Sequence, residues 1–291
     1  MLLEVQKHLT TGRVGHFYGQ ENNASTYNLA RMNMLMHGVE YQKFDIYKGD
    51  TLKDDKYGDV KMTVQVCNPP YSLKWSADKS FEDDPRYSGA GKLAPKSHAD
   101  FAFLEHMIYH MDEEDGRIAV LLPHGVLFRG SAEEQIRKYI IRDLNRLDAV
   151  IGLPANLFHG TSIPVCLLVL KSKRNGNSGN ILFIDASKEF SSGKNQNTLE
   201  EKHIEKILNA YAERKDIDKF AHVATMEEIE ENGYNLNIPR YVDTFEPEPE
   251  IDLDEVADQI IALRKEMNEV DAQLKPYFDE LGLKFPFSEE V

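Results

Sequence analysis

The alternation of apolar and polar residues along the chain predicts a mixture of short strands and helices. Short apolar runs bounded by Gly, Pro, Asn or Asp are typical of strands, whereas apolar residues spaced three and four apart are typical of helices. Helices are predicted at residues 2–9, 22–38, 101–111, 133–145 and 199–214. Strands are predicted at residues 17–21, 44–47, 64–67, 117–122, 148–153, 165–170 and 181–185.

The order of these elements predicts an α/β fold. Strand and helix alternate in the first part of the chain, as they do in parallel sheets. Gly38 stands where the C′ residue of a helix is expected, a position that favours glycine. Residues 148–153 and 165–170 are joined by a loop without a helical pattern, which predicts an antiparallel hairpin at the end of a mostly parallel sheet.

The last part of the chain has a different pattern. Residues 245–251 are rich in Pro and Glu and predict a linker between a domain at 1–244 and a final element at 252–291. Pro276 is expected to kink or end this final helix near its last turn. The helix needs a partner: another subunit is favoured, and packing on its own domain is the alternative. Its apolar residues follow a heptad seam of about four repeats, formed by Leu253, Val256, Ile260, Leu263, Met267, Val270, Leu274, Tyr277 and Leu281.

The tetrapeptide Asn68-Pro69-Pro70-Tyr71 follows a predicted strand and carries the strongest chemical signal. The carbonyls of Asn68 and Pro69 can both accept hydrogen bonds from one amino group on a planar base or amide, which turns its lone pair toward a methyl donor. The prolines fix φ and stiffen the loop, and Tyr71 offers a flat face for stacking. The alternative is an ordinary proline-stiffened turn after a strand.

Two carboxylates also lie at predicted strand ends. Glu21 ends the first strand, where an acidic residue can bind ribose hydroxyls. Asp50 follows the next strand and can accept a hydrogen bond from an adenine amino group. Each alone is typical of a solvated turn, but both precede the Asn68 motif at matching positions, which favours a nucleoside-binding role.

These motifs together resemble the modification subunit of type I restriction–modification systems. The resemblance rests first on residues 19–21, 29–34, 49–52 and the Asn68 tetrapeptide. It continues through residues 94–97, 99–103, 116–120, 154–158 and 234–237, so that it covers nearly the whole chain. Those subunits are N6-adenine DNA methyltransferases that use S-adenosylmethionine on a Rossmann-like sheet. The tetrapeptide alone is shared with methyltransferases that act on protein glutamine.

The resemblance implies a role for each candidate residue. Glu21 would bind the cofactor ribose, Asp50 the adenine N6, and Phe101 or a neighbour would pack on the cofactor adenine. Asn68, with Pro69 and Pro70, would bind the target amino group and contribute to the cofactor site. Tyr71 would stack on an adenine that has swung out of the duplex. Phe158 would line the other face of that base, although an apolar side chain at this position is also typical of a core.

One part of the family pattern is not found in this sequence. The family's glycine-rich cofactor loop, of the form Asp-Pro-x-x-Gly-Ser-Gly-Ser, is expected immediately before Leu2. The chain is therefore expected to start just after this loop, and to lack both the first strand of the sheet and the family's helical N-terminal domain. Cofactor binding by this chain alone is in question for the same reason.

Composition adds three exclusions. No run of 18 apolar residues predicts a membrane span, and no signal-peptide pattern opens the chain. Cys67 and Cys166 lie in predicted strands without metal-type spacing, which is typical of free thiols in a reducing cytoplasm. The scattered histidines His37, His98, His124 and His159 form no ligand pattern in the sequence, so no metal site is predicted.

The net charge of −15 bears on the partners. Residues 241–291 hold 15 acidic and 4 basic side chains, a net charge of −11, which leaves −4 for residues 1–240. A protein that binds DNA by itself is usually basic, because phosphate contacts supply much of the affinity. DNA affinity is therefore expected to come through a complex. The resemblance names its members: a specificity subunit, a restriction subunit and a second modification subunit.

Three hypotheses remain open at this stage. The first is a subunit of an adenine-specific DNA methyltransferase. The second is a methyltransferase that acts on cytosine N4 or on protein glutamine. The third is a catalytically silent chain that keeps only partner binding, for which the missing glycine-rich loop is the evidence.

Overall fold

A computed structural model describes residues 1–9, 12–245 and 252–286 of the 291-residue chain. The chain divides into two units at 1–244 and 245–291. This boundary is the one at which the sequence pattern places a linker. Apart from Phe245, the linker residues lie outside the described part of the chain.

The first unit is built on strands that agree closely with the predicted ones. Seven strands were predicted, and each is found within one or two residues of its predicted ends. An eighth, β8, was missed because its sequence, Ala-His-Val-Ala-Thr, carries only a weak apolar signal. The strands are β1 Phe17–Glu21, β2 Phe44–Lys48, β3 Val64–Cys67, β4 Arg117–Pro123, β5 Leu147–Gly152, β6 Val165–Lys171, β7 Asn180–Asp185 and β8 Ala221–Thr225.

The helices also follow the sequence pattern, with one early ending and one helix that was missed. The predicted helix at 133–145 becomes a shorter α-helix that continues as a π-helical turn at Tyr139–Asp143. The short helix after β8 was not predicted. The helices of the first unit are α1 Leu2–His8, α2 Ala24–Met36, α3 Asp100–Tyr109, α4 Ala132–Lys138, α5 Glu201–Glu213 and α6 Met226–Glu231.

The larger sheet has six strands in the order β3-β4-β6-β5-β7-β8. β3, β4, β5 and β7 run in one direction, because β3 pairs parallel to β4 and β5 parallel to β7. β6 runs against both of its neighbours, β4 and β5, and the edge strand β8 runs against β7. This arrangement confirms the predicted α/β fold with a mostly parallel sheet and an antiparallel hairpin strand. The hairpin strand β6 lies inside the sheet, however, and not at its end as predicted.

The sheet is interrupted between β1 and β3. β1 and β2 form a separate two-stranded parallel sheet, and within the described residues no strand pairs with the other edge of β1 or β3. Tyr57, in the loop before β3, ties the small sheet to the rest of the unit. Its buried hydroxyl accepts from the Gly19 backbone N–H at 2.7 Å and donates to the Asp45 carbonyl at 2.9 Å.

Apolar side chains fill both faces of the six-stranded sheet. Every residue of β5 is buried, because Val150 packs into one cluster with α3 and α4 while Ile151 packs into another with α5. The stack of Phe183 on Tyr241, with ring centroids 3.8 Å apart, extends the first cluster. The sheet therefore lies between two helical layers, as in other α/β folds.

Helix α2 is present, but its apolar residues do not face the core. Leu29, Met32, Leu35 and Met36 are at least half exposed, and Met34 makes the buried contact with the small sheet. The helix ends as predicted, with Gly38 at C′ in the left-handed region (φ 76°). The spacing thus predicted the helix correctly, whereas the side that packs was decided by the neighbouring strands.

The second unit contains one long helix, α7 Leu253–Glu280. The Asp252 carboxylate accepts from the backbone N–H groups of Asp254 and Glu255, which begins the helix. Pro276 lies inside the helix, one turn before its end. Taken by itself, the helix presents the predicted heptad seam on one side; the exposure of Ile260, for example, is 48%.

Asp148 on β5 is a buried acidic residue that is surrounded by three basic side chains. Its carboxylate is fully buried and accepts from the Tyr211 hydroxyl at 2.6 Å and from Lys171 Nζ at 2.9 Å. Arg214 lies at 3.4 Å and Arg174 at 3.6 Å. Burial works to raise the pKa of Asp148, but these partners outweigh it and hold the pKa below its usual range.

Asp148→Asn is expected to lower the free energy of unfolding by about 3 kcal/mol, because three cations lose their buried counter-charge. Urea denaturation at pH 7 measures this. A carboxyl with a depressed folded-state pKa stabilises the fold above its unfolded pKa, and this contribution is lost as pH falls through the folded pKa. The difference between wild type and variant should therefore shrink below about pH 4.

Asp143→Asn is the control for this prediction. Asp143 pairs with Arg142 on the surface, and an exposed ion pair of this kind contributes less than about 1 kcal/mol. Equal losses in the two variants would contradict the assignment of a stabilising role to the buried network.

Candidate active site

Asn68 leaves the sheet at the carboxyl end of β3. This strand is paired parallel to β4 up to Cys67, which lies beside Val120. Gln65 connects the strand to α3, because its side-chain amide donates to the Met107 carbonyl at 2.8 Å. Asn68 is exposed and the following Pro69 is buried. A held strand therefore presents the Asn68 amide at an open edge of the sheet.

Tyr71 closes back over Asn68. Its hydroxyl donates to Asn68 Oδ1 at 2.6 Å. Burial raises the pKa of Tyr71, against a smaller opposing effect of the Asn68 hydrogen bond, so the hydroxyl stays protonated and can donate at neutral pH. The oxygen that the sequence predicts as an acceptor for a target amino group is therefore occupied by the chain's own phenol.

Phe158 lies in the loop between β5 and β6 and is half-buried. Its backbone forms an isolated bridge with Thr161. Tyr71 and Phe158 both pack against the same apolar cluster, which includes Ile151 and Val165. The structure thus brings these two predicted base-contacting rings to one cluster, although they are 87 residues apart in the sequence.

Glu21 and Asp50 lie at the carboxyl edge of the small parallel sheet. Glu21 ends β1 and its Oε1 accepts from the Asn23 N–H at 2.7 Å. Asp50 follows β2 and its Oδ1 accepts from the Leu52 N–H at 3.1 Å. Both side chains are half-buried. Turn carboxylates make the same bonds, so these contacts orient the two groups without assigning a ligand.

Phe101, the third predicted cofactor contact, is a core residue. Its side chain is 2% exposed and packs in the main core on α3. It lines a small internal cavity with Leu104, Val126 and Leu127. This burial leaves the ring no open face for a cofactor adenine and disfavours Phe101 for that role.

Comparison with known proteins decides the family. A family model described as N-6 DNA methylase matches residues 1–250. The chain belongs to the N-6 DNA methylase family. A type I restriction enzyme methylase subunit (MpnII) of Mycoplasma pneumoniae is 37% identical over 97% of this chain and 55% of the relative. The HindI methylase subunit of Haemophilus influenzae is 34% identical over 91% of this chain and 61% of the relative.

A solved structure is also similar. The type I restriction–modification methyltransferase subunit from Streptococcus thermophilus is 55% identical, with a TM-score of 0.79 over 83% of this chain and 52% of that one. The chain thus spans about half the length of the first curated relatives that it matches, at 55% and 48%. Statements about the complete enzyme therefore extend beyond the part of the family that this chain covers.

The carboxylates of Glu21 and Asp50 fit one end of the cofactor that this family implies. Two carboxylates at the ends of adjacent parallel strands suit ribose hydroxyls and an adenine amino group, because both of these groups donate hydrogen bonds. The charged methionine end has no assigned partner among the described residues. The fit is therefore to the nucleoside, and Glu21 and Asp50 are the residues that would hold it.

The thiol of Cys67, beside Asn68, is not activated as a nucleophile. Burial raises the pKa of Cys67 to about 11, so at neutral pH it is a thiol rather than a nucleophilic thiolate. Cys166 is fully buried and donates to the Leu122 carbonyl. Both cysteines are free, as the sequence predicted.

Sequence reasoning missed a histidine cluster on α3. His106 and His110 are one turn apart and converge with Asp55, their ligand atoms lying within 4.8 Å of one another. Arg86 Nη1 lies 3.3 Å from His106 Nδ1 and disfavours a cation there. Burial, followed by the charges of His110 and Arg86, lowers the pKa of His106 to about 3. The arrangement is that of a neutral, hydrogen-bonded core histidine.

Proposed function

We propose that this chain is the catalytic part of a type I modification subunit, which transfers a methyl group from S-adenosylmethionine to N6 of adenine in DNA. The observation that carries the proposal is the geometry at Asn68. Asn68 directly follows the last paired residue of a parallel strand, at an open edge of the sheet. Its Oδ1 accepts a short hydrogen bond from the hydroxyl of Tyr71. Membership of the N-6 DNA methylase family supports the same reaction.

The chemistry follows from the two acceptors at this edge. The adenine N6 lone pair is delocalised into the ring, so N6 is a weak nucleophile. Hydrogen bonds from its two N–H groups to Asn68 Oδ1 and the Pro69 carbonyl would turn N6 toward tetrahedral geometry and release the lone pair. The same two oxygens would stabilise the positive charge that develops on N6. As the N–C bond forms, the sulfur–methyl bond of the donor would break and leave a neutral thioether, and one N6 proton would then pass to water.

Tyr71 would change its contacts in this step. Its hydroxyl now donates to Asn68 Oδ1, one of the two oxygens that the target amino group would use. In the proposed complex the hydroxyl gives up this bond and the phenol ring stacks on the base, with Phe158 on its other side. Base stacking on an aromatic side chain contributes about 1–3 kcal/mol.

The cofactor would supply a methyl group that is already activated on a positively charged sulfur. Glu21 and Asp50 would bind its ribose and adenine at the carboxyl edge of β1 and β2. Alignment of the two reactants accounts for most of the rate enhancement in this proposal, because a correctly held pair reacts far faster than free solutes.

Sequence choice and most of the DNA affinity would come from partners. Residues 1–240 carry a net charge of −4, which does not favour a phosphate backbone. The exposed seam of α7 would bind the helices of a specificity subunit, and the complex would add a restriction subunit and a second modification subunit.

A second candidate function is partner binding without catalysis. The interruption of the sheet between β1 and β3 favours it, because cofactor and target residues lie on separate sheets. Calorimetric titration of S-adenosylmethionine into the 291-residue chain separates the two. Micromolar binding supports the catalytic proposal, whereas no binding to a chain with a cooperative thermal transition supports the second candidate.

Asn68→Ala in the assembled enzyme is expected to reduce methyl transfer at least about 1,000-fold, because one of two acceptors for N6 is lost. Binding of S-adenosylmethionine should change little. The measurement is mass spectrometry of nucleosides from methylated duplex DNA, which also distinguishes N6-methyladenine from N4-methylcytosine. Asn209→Ala, an exposed position on α5, is the control. Near-normal transfer by Asn68→Ala would sink the mechanism.

Charges placed on the seam of α7 are expected to break assembly. Leu263→Glu combined with Val270→Glu should abolish co-purification with the specificity subunit, as should deletion of 251–291, while the first unit keeps its melting temperature. Asn268→Glu combined with Ala272→Glu adds the same charge at exposed positions away from the seam and should assemble normally. A complex that survives the seam charges would contradict this role for α7.

A further inference from the structure

Asp100, the first residue of α3, is fully buried although its side chain is acidic. One oxygen, Oδ1, accepts from the backbone N–H of Ser72 at 2.9 Å. The other, Oδ2, lies 3.5 Å from Arg129 Nη1. Both partners, Ser72 and Arg129, lie outside α3. Asp100 is thus directed away from α3 and toward the segment that follows the Asn68 motif.

Ser72 directly follows Tyr71 and has an unfavourable backbone conformation. Its φ is 51°, in the left-handed region that residues other than glycine rarely adopt. Such a conformation persists only where surrounding contacts hold it. Two contacts do so here: the Asp100 carboxylate binds the Ser72 N–H, and the Ala99 N–H donates to the Leu73 carbonyl at 2.9 Å. The chain leaving Tyr71 is therefore clamped to the start of α3.

Arg129 holds the Asp100 carboxylate in place. Its Nη1 also lies 3.2 Å from Glu133 Oε1, and the Glu133 side chain is 2% exposed. A Cβ on residue 125 would lie 2.3 Å from Arg129 Nη2, so glycine at this position leaves room for the guanidinium. A buried carboxylate is retained only with such partners, and this one is fixed on both of its oxygens.

We propose that Asp100 is a positioning residue for methyl transfer. By fixing the left-handed turn at Ser72, it sets the direction in which the chain leaves Tyr71, and with it the placement of Tyr71 against Asn68. Asp100 touches neither reactant and acts through the Ser72 backbone. This inference rests on the proposed function for its catalytic consequence, whereas its structural half can be tested without any activity.

The structural half is tested by amide hydrogen exchange at Ser72, followed by NMR in the 291-residue chain. Asp100→Ala should exchange at Ser72 roughly tenfold faster than wild type or more, because a hydrogen bond to a charged group is lost. Asp100→Asn keeps an oxygen acceptor and should fall between the two. If Asp100→Ala does not fold, the comparison of Asp100→Asn with wild type decides the test. Unchanged Ser72 exchange in a folded variant overturns the proposal.

Asp112→Ala is the matched control for this measurement. Asp112 also accepts backbone N–H bonds in a turn, from Glu114 and Asp115. Its loss should leave Ser72 exchange at the wild-type rate. Faster Ser72 exchange in this control as well would assign the effect to general loosening of the fold and overturn the specific role of Asp100.

The catalytic half is tested in the assembled enzyme by steady-state kinetics. Asp100→Ala should lower kcat roughly 10- to 100-fold, because a small displacement of reacting groups has effects of this size. The KM for S-adenosylmethionine should stay within about twofold, and Asp100→Asn should recover part of kcat. Fast Ser72 exchange with an unchanged kcat overturns the positioning role. A wild-type enzyme that transfers no methyl group refutes the proposed function instead, and the exchange result still decides the structural half.

Discussion

The parallel pairing of β3 with β4 is the constraint on which the candidate site depends. Residues within a paired parallel strand are held inside the sheet, whereas the residue after the last pair lies at the open carboxyl edge. β3 ends at Cys67, so Asn68 is that residue. Burial of Pro69, the Gln65 bond to α3 and the clamp at Ser72 then fix the segment on both sides of the amide. Without that strand end, the tetrapeptide would be an ordinary stiff turn.

Local patterns in the sequence predicted much of this fold because strands and helices here have clear boundaries. β3 was predicted to the residue, and Gly38 was placed correctly at the end of α2. The spacing of apolar residues and the placement of turn residues are local signals, and they decide the backbone conformation over a few positions. They do not decide which side of a helix packs, and the exposed Leu29 and Met32 on α2 show the difference.

The contacts that local patterns could not supply are those between distant segments. Asp100 and Ser72 are 28 residues apart, and Asp148 and Tyr211 are 63 apart. In the sequence, Asp100 stood out only as part of residues 99–103 of the family resemblance, and no rule of spacing connects it to the turn after Tyr71. The burial of Phe101 was equally hidden, since an aromatic residue at a helix start suits a core and a binding site alike. The roles of the site residues therefore remain predictions.

The hydrogen bond between Tyr71 and Asn68 has a consequence for binding strength. The Asn68 carbonyl is exposed, and in the resting structure it is paired with a donor only three residues away in the chain. A donor tethered so closely is present at high local concentration. A ligand that takes its place exchanges one hydrogen bond for another, so the net gain in free energy at Asn68 is smaller than at an unpaired amide.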